Sequence, residues 1–400
     1  MTSQRRDWAF PLAVRAWTST AAKMYTQIMR ILLNALQAGN RSGTGVYAYE
    51  LARVLPIIEQ GPDVCVLWPE GLPTPNPAHA AMWEERAIRM PVEPVRRRLV
   101  TEHWGMSRVA AEAKADLVHY PANFGAALAR VPTVVTVHDL SFFRNPEWFR
   151  PMHARYYRMA ARRTIPRALR VIADSEATAA DLESYLRIPR ERIDVIPLGV
   201  DPHFTRAPVE DQERVCARHG LPRDFVLYYG TFEPRKNLPR LIRAWDRHAD
   251  EHRQALVLAG RRGWKDEAID EAIAQAQHKD WIYCPGFVEY EELPALISAS
   301  HCFVWPSLWE GFGLPPLEAM ACRTPVLTSN RSSLPEVVGD AALLVDPESE
   351  DEIAAGIWRI IEDDSLREIL VDAGKTRKNQ FVWRQTAEAT LVSYRKAMGG

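Results

Sequence analysis

Two glutamates with seven residues between them, Glu310 and Glu318, flank a Gly311-Phe312-Gly313 turn, Leu314 and the Pro315-Pro316 pair. The preceding His301-Cys302-Phe303-Val304-Trp305 reads as a short buried strand, and either proline suits the first turn of a helix. A chain that leaves a strand, turns through glycines and enters a helix aims several unpaired backbone N–H groups at one point. That makes a site for an anion or a hydroxyl. Carboxylates on both sides are bidentate acceptors for vicinal hydroxyls. A sugar attached to a phosphate satisfies both halves of such a site. The plainer alternative is an ordinary strand–turn–helix with a solvated glutamate on each side.

Three more segments put polar chemistry at the carboxyl ends of predicted strands. Gly43-Thr44-Gly45 follows the opening strand and leads into a helix, where glycines let backbone approach a phosphate closely. A glycine turn of this kind is common without any ligand, and it does not fit the GxGxxG dinucleotide fingerprint. Val137-His138-Asp139 ends an apolar strand with a polar pair. The histidine either faces a crevice or merely caps the strand through a satisfied hydrogen bond. Tyr229-Gly230-Thr231-Phe232-Glu233-Pro234-Arg235-Lys236-Asn237 again runs strand, loop, helix. Arg235 and Lys236 there oppose the helix dipole, an unfavourable placement unless an anion comes between. Arginine clamps a phosphate bidentately, and lysine acts on it as a point charge.

The elements that must carry these loops alternate. Ile31–Asn34, Val64–Trp68, Asp116–Tyr120, Thr133–His138, Val171–Ala173 and Asp194–Ile196 read as strands, with helical stretches such as Val46–Ile58 between most of them. A second series follows Gly199-Val200-Asp201-Pro202: Phe225–Tyr229, Ala255–Ala259, Ile282–Cys284, Cys302–Trp305, Pro325–Thr328 and Ala342–Val345, with helices including Leu238–His248 and Glu291–Ala299. Strands separated by helices predict parallel sheets covered on both faces, with ligands beyond the carboxyl ends of the strands. The expected fold is α/β, with two doubly wound units in tandem joined near residue 200. The last helix, about Thr386 to Met398, is not placed by the pattern.

The bulk numbers agree. Four hundred residues exceed one core, and 47% hydrophobic and 25% charged residues with a net charge of −1 describe a globular chain with no call for nucleic acid. The five cysteines are scattered, odd in number and without a CxxC pair, as expected of reduced thiols in a reducing compartment. No apolar run approaches the roughly 20 residues that span a bilayer. Residues 1–28 lack strand character and are expected to be a disordered extension or an upstream start, with Met29 a candidate first residue.

Tyr229 to Asn237, Ser307-Leu308-Trp309-Glu310 through Glu318-Ala319-Met320-Ala321-Cys322, Thr324-Pro325-Val326 and Ser333-Leu334-Pro335-Glu336 together resemble the large family 4 of retaining glycosyltransferases (group 1, mannosyl- or glucosyltransferase-like) with the GT-B fold. Gly43-Thr44-Gly45-Val46-Tyr47, Val137-His138-Asp139-Leu140, Ala173-Asp174-Ser175-Glu176 and Val195-Ile196-Pro197-Leu198-Gly199-Val200-Asp201 look like looser segments of the same family. The resemblance covers roughly residues 29–398. It implies two facing Rossmann-like domains, 29–200 on the acceptor side and 201–381 on the nucleotide-sugar side, with a helix from about 382 to 400 returning to the first.

The resemblance also implies roles. Glu318 would accept from the ribose hydroxyls of a nucleotide-sugar donor. Glu310, with the backbone N–H groups of Gly311, Phe312 and Gly313, would hold the transferred sugar. Arg235 and Lys236 would neutralise the diphosphate, Gly45 would bring the first loop against it, and His138 would contact the sugar from the other wall. The candidate site is then His138, Arg235, Lys236 and Glu310 for catalysis, with Gly43, Gly45, Gly230, Gly311, Phe312, Gly313, Leu314 and Glu318 around the donor. Many family members carry a basic residue where this chain has Thr231, which throws more of the diphosphate onto Arg235 and Lys236. Leu198 stands where the family often has Asn.

No Asp-x-Asp occurs in the chain, so no metal is expected; fixed cations and a helix N-terminus can stabilise a departing GDP or UDP instead. The expected partners are a nucleotide-sugar donor and a saccharide or lipid-linked acceptor, in polysaccharide or glycoconjugate assembly. Arg150, Arg155, Arg158, Arg162, Arg163, Arg167 and Arg170, with Arg96-Arg97-Arg98, raise peripheral contact with an anionic membrane from the cytoplasmic side. Solvated arginines paired with local acids are the alternative. Competing functions are a catalytically silent sugar-nucleotide-binding subunit, a nucleotide-sugar epimerase of the same fold, and a phosphorylase, which would need a longer chain.

Overall fold

The computed structural model describes residues 29–399 apart from 41, 59–60, 94–97, 99 and 127–129. The expectation for residues 1–28 and the Arg96-Arg97 part of the basic cluster lie outside the described residues.

Seven parallel strands form the first sheet: β1 (Arg30–Asn34), β2 (Asp63–Pro69), β3 (Ala87–Met90), β4 (Leu117–Tyr120), β5 (Thr133–Val137), β6 (Arg170–Ala173) and β7 (Ile193–Val195), in the order β3-β2-β1-β4-β5-β6-β7. Six more form the second: β8 (Phe225–Tyr229), β9 (Ala255–Ala259), β10 (Ile282–Gly286), β11 (Cys302–Trp305), β12 (Val326–Ser329) and β13 (Leu343–Val345), in the order β10-β9-β8-β11-β12-β13. In each sheet the order reverses beside the first strand, at β1/β4 and at β8/β11, which opens a crevice at the strand ends. The two doubly wound units expected from the alternation are present.

The inner strands are apolar on both faces because helices cover both, yet their residues still divide by parity. Ile31, Leu33, Val64 and Val66 enter the hydrophobic cluster that continues into the second sheet, whereas Leu32, Cys65 and Leu67 enter a separate cluster under the other face. β3 was not foreseen. It is a half-exposed edge strand of mixed composition, Ala-Ile-Arg-Met, without the β-branched run that marks its neighbours.

The last helix, Trp383–Ala397, packs on the first sheet's side against the helix Gly43–Val54 and β6. Its Tyr394 is fully buried and hydrogen-bonds His119 on β4 at 2.7 Å. The two connections between the sheets meet where the Val200 N–H donates to the Phe381 carbonyl at 3.1 Å. A Cβ on Gly199 would lie 2.2 Å from the Trp383 nitrogen, so only glycine permits this crossing.

Candidate active site between the two sheets

β8 delivers the chain into the turn Pro234–Lys236, and Asn237, at φ +64°, starts the helix Leu238–Asp246. The Asn237 amide donates to the carbonyls of Pro306 (3.1 Å) and Pro347 (2.6 Å), which ties this loop to the one after β11. Arg235 and Lys236 are thereby brought onto Glu310. Lys236 Nζ donates to Glu310 Oε1 at 2.7 Å and lies 4.3 Å from the Trp305 ring centroid. Arg235 donates to Glu310 Oε2, to Glu233 Oε1 (2.7 Å) and to the Trp309 carbonyl (2.9 Å). Trp305 Nε1 adds a 3.1 Å bond to Glu310 Oε1.

This corrects the reading of two cations awaiting an anion. Glu233 and Glu310 already balance them; Glu233, Lys236 and Glu310 are buried, with Arg235 half-buried beside them. Burial pushes the Glu310 carboxyl up, but Arg235 and Lys236 outweigh it and hold the group down to about 2. Burial and the neighbouring guanidinium push Lys236 below the ordinary lysine range, partly offset by Glu310 and Glu233. Glu310 therefore fixes the cations as well as standing beside the glycine turn. Any anion brought to these cations would have to share or displace that carboxylate.

The turn itself is pinned by its carbonyls. Ser333 Oγ lies 3.0 and 2.7 Å from the carbonyl oxygens of Glu310 and Phe312, and Ser175 Oγ donates to that of Gly311 at 2.6 Å. The N–H groups of Gly311, Phe312 and Gly313 find no acceptor among the described residues, and they lead into the helix Leu314–Ala321. That is the anion- or hydroxyl-binding geometry expected of a helix entry. Leu314 opens the helix, buried, with Pro315 and Pro316 in its first turn as expected. Phe312 turns its ring inward onto Phe381, 5.7 Å away and edge-on, so only its backbone faces the turn.

Glu318 sits one turn further along the helix, away from the cation cluster, and accepts from the Tyr229 hydroxyl. Burial, helped by Asp201, pushes its carboxyl up to about 8. The two glutamates thus have opposite electrostatics: Glu310 is locked as an anion and Glu318 is held protonated at neutral pH.

The opposite wall comes from β5 and β6. His138 follows β5, with Nδ1 2.5 Å from Asp174 Oδ2 and Nε2 2.8 Å from the Pro121 carbonyl. Both ring nitrogens are engaged by the protein, so the satisfied-histidine alternative describes the ring, while the backbone faces the crevice. A Cβ on Gly311 would lie 1.7 Å from the His138 carbonyl oxygen, so the two walls touch backbone to backbone. Thr178 Oγ1 lies 3.1 and 3.3 Å from the carbonyls of His138 and Gly311. Further contacts bridge the walls: Glu336 accepts from the Glu176 and Ala177 N–H groups at 3.2 Å each, and the Arg144 guanidinium lies 3.9 Å from the Trp309 ring centroid.

Gly230, at φ +150°, donates to the Ala259 carbonyl at 2.9 Å and stands behind the cluster beside Trp305. Gly43 has open space around it, whereas a Cβ on Gly45 would meet the Asn40 carbonyl of its own loop at 1.5 Å. Gly45 thus shapes that loop locally. Glu233, Trp305, Tyr229 and Asp174 belong to the site without having been assigned a role. Glu233 and Tyr229 stand in the segment that named Arg235, and Asp174 directly follows a strand end; that position was the available signal.

Residues 41–204 match the family model described as Glycosyltransferase Family 4, and residues 211–377 match Glycosyl transferases group 1. O-antigen chain mannosyltransferase B of Escherichia coli is 35% identical over 284 residues, covering 70% of this chain and 74% of that protein. MMP alpha-(1->4)-mannosyltransferase of Mycolicibacterium hassiacum is 31% identical over 307 residues, 71% of each. Sucrose-phosphate synthase from Thermosynechococcus elongatus superposes with a TM-score of 0.73 over 93% of this chain and 99% of that one, at 21% identity. HepE of Anabaena in complex with UDP-glucose does so with 0.69 over 91% and 100%, at 22% identity. At these identities the likeness is one of fold, the GT-B arrangement.

Proposed function

Since the chain belongs to family 4 of the group 1 glycosyltransferases, we propose that it is a retaining, metal-independent enzyme moving mannose from a nucleoside diphosphate to a hydroxyl of a saccharide or lipid-linked acceptor in polysaccharide assembly. The choice of mannose rests on the mannosyltransferase relatives. The observation that carries the chemistry is the buried Arg235–Lys236–Glu310 cluster opening on the free N–H groups of Gly311 to Gly313. The cations take the diphosphate, the N–H groups and Glu310 take the sugar, and Glu318 takes the ribose. The bond from the anomeric carbon to the phosphate oxygen breaks as the acceptor oxygen attacks from the same face. The acceptor's proton passes to the departing phosphate oxygen. Fixed cations replace a metal in stabilising that oxygen. Among the described residues no group of three or more His, Cys, Asp or Glu side chains is placed to hold a metal ion.

The test is release of nucleoside diphosphate from GDP- and UDP-linked mannose and glucose in EDTA, with the anomeric configuration of the product read by NMR. Slow donor hydrolysis is expected, lost in Glu318→Ala and Lys236→Ala. Turnover only on adding a divalent cation would defeat metal independence, and an inverted product would defeat retention.

A pH dependence follows from Glu318. Its folded pKa of about 8 lies above the ordinary 4.5, so the group's contribution to stability is full below about 4.5 and lost as pH rises to about 8. Ribose hydroxyls favour the ionised carboxylate. Donor binding at pH 7 should therefore release a proton, and affinity should rise as pH approaches 8. Calorimetry in buffers of different ionisation enthalpy reads the proton directly; equal heats would remove Glu318 from the donor site.

For the acceptor side, Arg150, Arg155, Arg162, Arg163 and Arg167 are exposed, and none pairs with an acid among the described residues; Arg170 does, with Asp194 at 2.6 Å. Such a face fits anionic lipid on the cytoplasmic side of a membrane. No helix among the described residues is long and apolar enough to cross one. Flotation with anionic but not zwitterionic liposomes is expected, and no salt-sensitive binding would end the proposal.

A further inference from the structure

His138 and Asp174 end neighbouring strands. Val137 pairs with Ala173 in the parallel register of β5 and β6, so the next residue on each stands beside the other. On the far side β4 pairs with β5 and presents the Pro121 carbonyl. The imidazole is thus gripped from both flanks. A carbonyl only accepts, so the 2.8 Å contact puts a proton on Nε2. The 2.5 Å contact between Nδ1 and the Asp174 carboxylate holds a second proton. With that proton on Nδ1 the ring carries both N–H groups, and neither ring nitrogen keeps a free lone pair.

The surroundings act in the same direction. Tyr47 meets the ring edge-on at 5.0 Å, and Asp139 follows in the chain. Beneath it His119, wholly buried, has its nitrogens on the Tyr394 and Thr136 hydroxyls (2.7 and 2.8 Å). Burial drives His119 down to about 3, so it is neutral and adds no repelling charge. From the second sheet, Arg235 lies within range of Asp139. Burial alone would push His138 down, and Asp174, with the Pro121 carbonyl and Asp139, reverses this and pushes it up. The grip also fixes the backbone. The His138 N–H donates to Asn123 Oδ1 at 2.6 Å, and its carbonyl is the point on which Gly311 docks.

Resting on the glycosyltransferase reading above, we infer that Asp174 is a positioning residue that clamps His138 in a proton-saturated state, so that His138 cannot serve as the base and instead holds its own carbonyl as the docking point for Gly311. The acceptor's proton must then go elsewhere, in keeping with the departing phosphate oxygen as its destination.

Asp174→Asn and Asp174→Ala separate this from a base role. An asparagine amide can donate to Nδ1 and keep the ring in place with one fewer proton, whereas alanine leaves it loose. Asp174→Ala should lower kcat about tenfold or more with little change in donor KM, and Asp174→Asn should restore most of that loss. In wild type, 15N spectra of labelled histidine, with His138 assigned from the spectrum of His138→Gln, should keep both ring N–H groups from about pH 6 to 8. The inference is overturned if wild-type His138 loses a proton in that range, or if Asp174→Asn loses as much rate as Asp174→Ala. If wild type turned over no nucleotide sugar at all, the proposed function would fail, and the wild-type spectra would still decide the state of His138.

Discussion

Glu310→Gln is expected to reduce transfer by about a thousandfold and to destabilise the fold by roughly 3–5 kcal/mol, the usual result of removing one member of a buried ion-paired set. The substitution keeps the side chain's shape, removes its charge and turns one acceptor oxygen into an amide donor that faces the donors of Arg235, Lys236 or Trp305. Arg235 and Lys236 would then share Glu233 alone, with Trp305 Nε1 the remaining donor nearby. In wild type the Glu310 carboxyl is held to about 2, below its ordinary 4.5. Its contribution to stability is therefore present above about 4.5 and lost as pH falls towards 2. The variant should lack that acid-side loss. It should also respond more strongly to ligand: a nucleoside diphosphate supplies the missing anion, so its melting temperature should rise further in Glu310→Gln than in wild type. Thermal unfolding with and without GDP or UDP, beside a turnover assay, checks all three. A variant as stable as wild type that turns over within threefold of it would mean that the cluster is not electrostatically coupled as described.

Gly311→Ala should separate binding from chemistry. The added Cβ would sit 1.7 Å from the His138 carbonyl oxygen, and backbone on both sides leaves nothing to swing away. The two walls would be held apart by an ångström or more. Misplacement on that scale lowers rates by about a hundredfold. Donor affinity should change little, since Arg235, Lys236, Glu310 and Glu318 all lie on the second sheet's side of the contact. Neither hydrophobic cluster loses an atom, so the melting temperature should hold. Stopped-flow or steady-state kinetics with equilibrium donor binding gives the split, and small-angle scattering should report a larger radius. Wild-type turnover in this variant would show that the backbone contact is not part of the reacting arrangement.

What could be read from the chain, and what could not, divides along one physical line. β8, β9 and β11 are found at their read boundaries because each is a short apolar run ended by turn residues. The site loops were legible for the same reason: a polar residue at the end of such a run has nowhere to go but the crevice. β3 lacked the signal, being half-exposed at the edge. The partners of each charged group were also hidden. Glu310 and Arg235 are 75 residues apart, and only the pairing of β8 with β11 brings them together. The placement of Arg235 against the helix dipole is a local conflict in the sequence, and carboxylates of the same chain offset it. Asp174 beside His138 likewise follows from the β5–β6 register, which no local spacing encodes.

The crossing at Gly199 and Phe381 has a mechanical consequence. A body tethered at one point can swivel in any direction. Tethered at two adjacent points, it turns chiefly about the line through both. Here the chain passes between the sheets twice, and the Val200–Phe381 hydrogen bond keeps the two passages side by side. Any movement of the second half relative to the first would thus be guided along one arc, and along it Gly311 would return to the same carbonyl. It also means that a tag fused after the last helix travels with β1 and not with β13. A dye pair on residues 30 and 395 should hold one distance, while one on 30 and 345 would report any such turn.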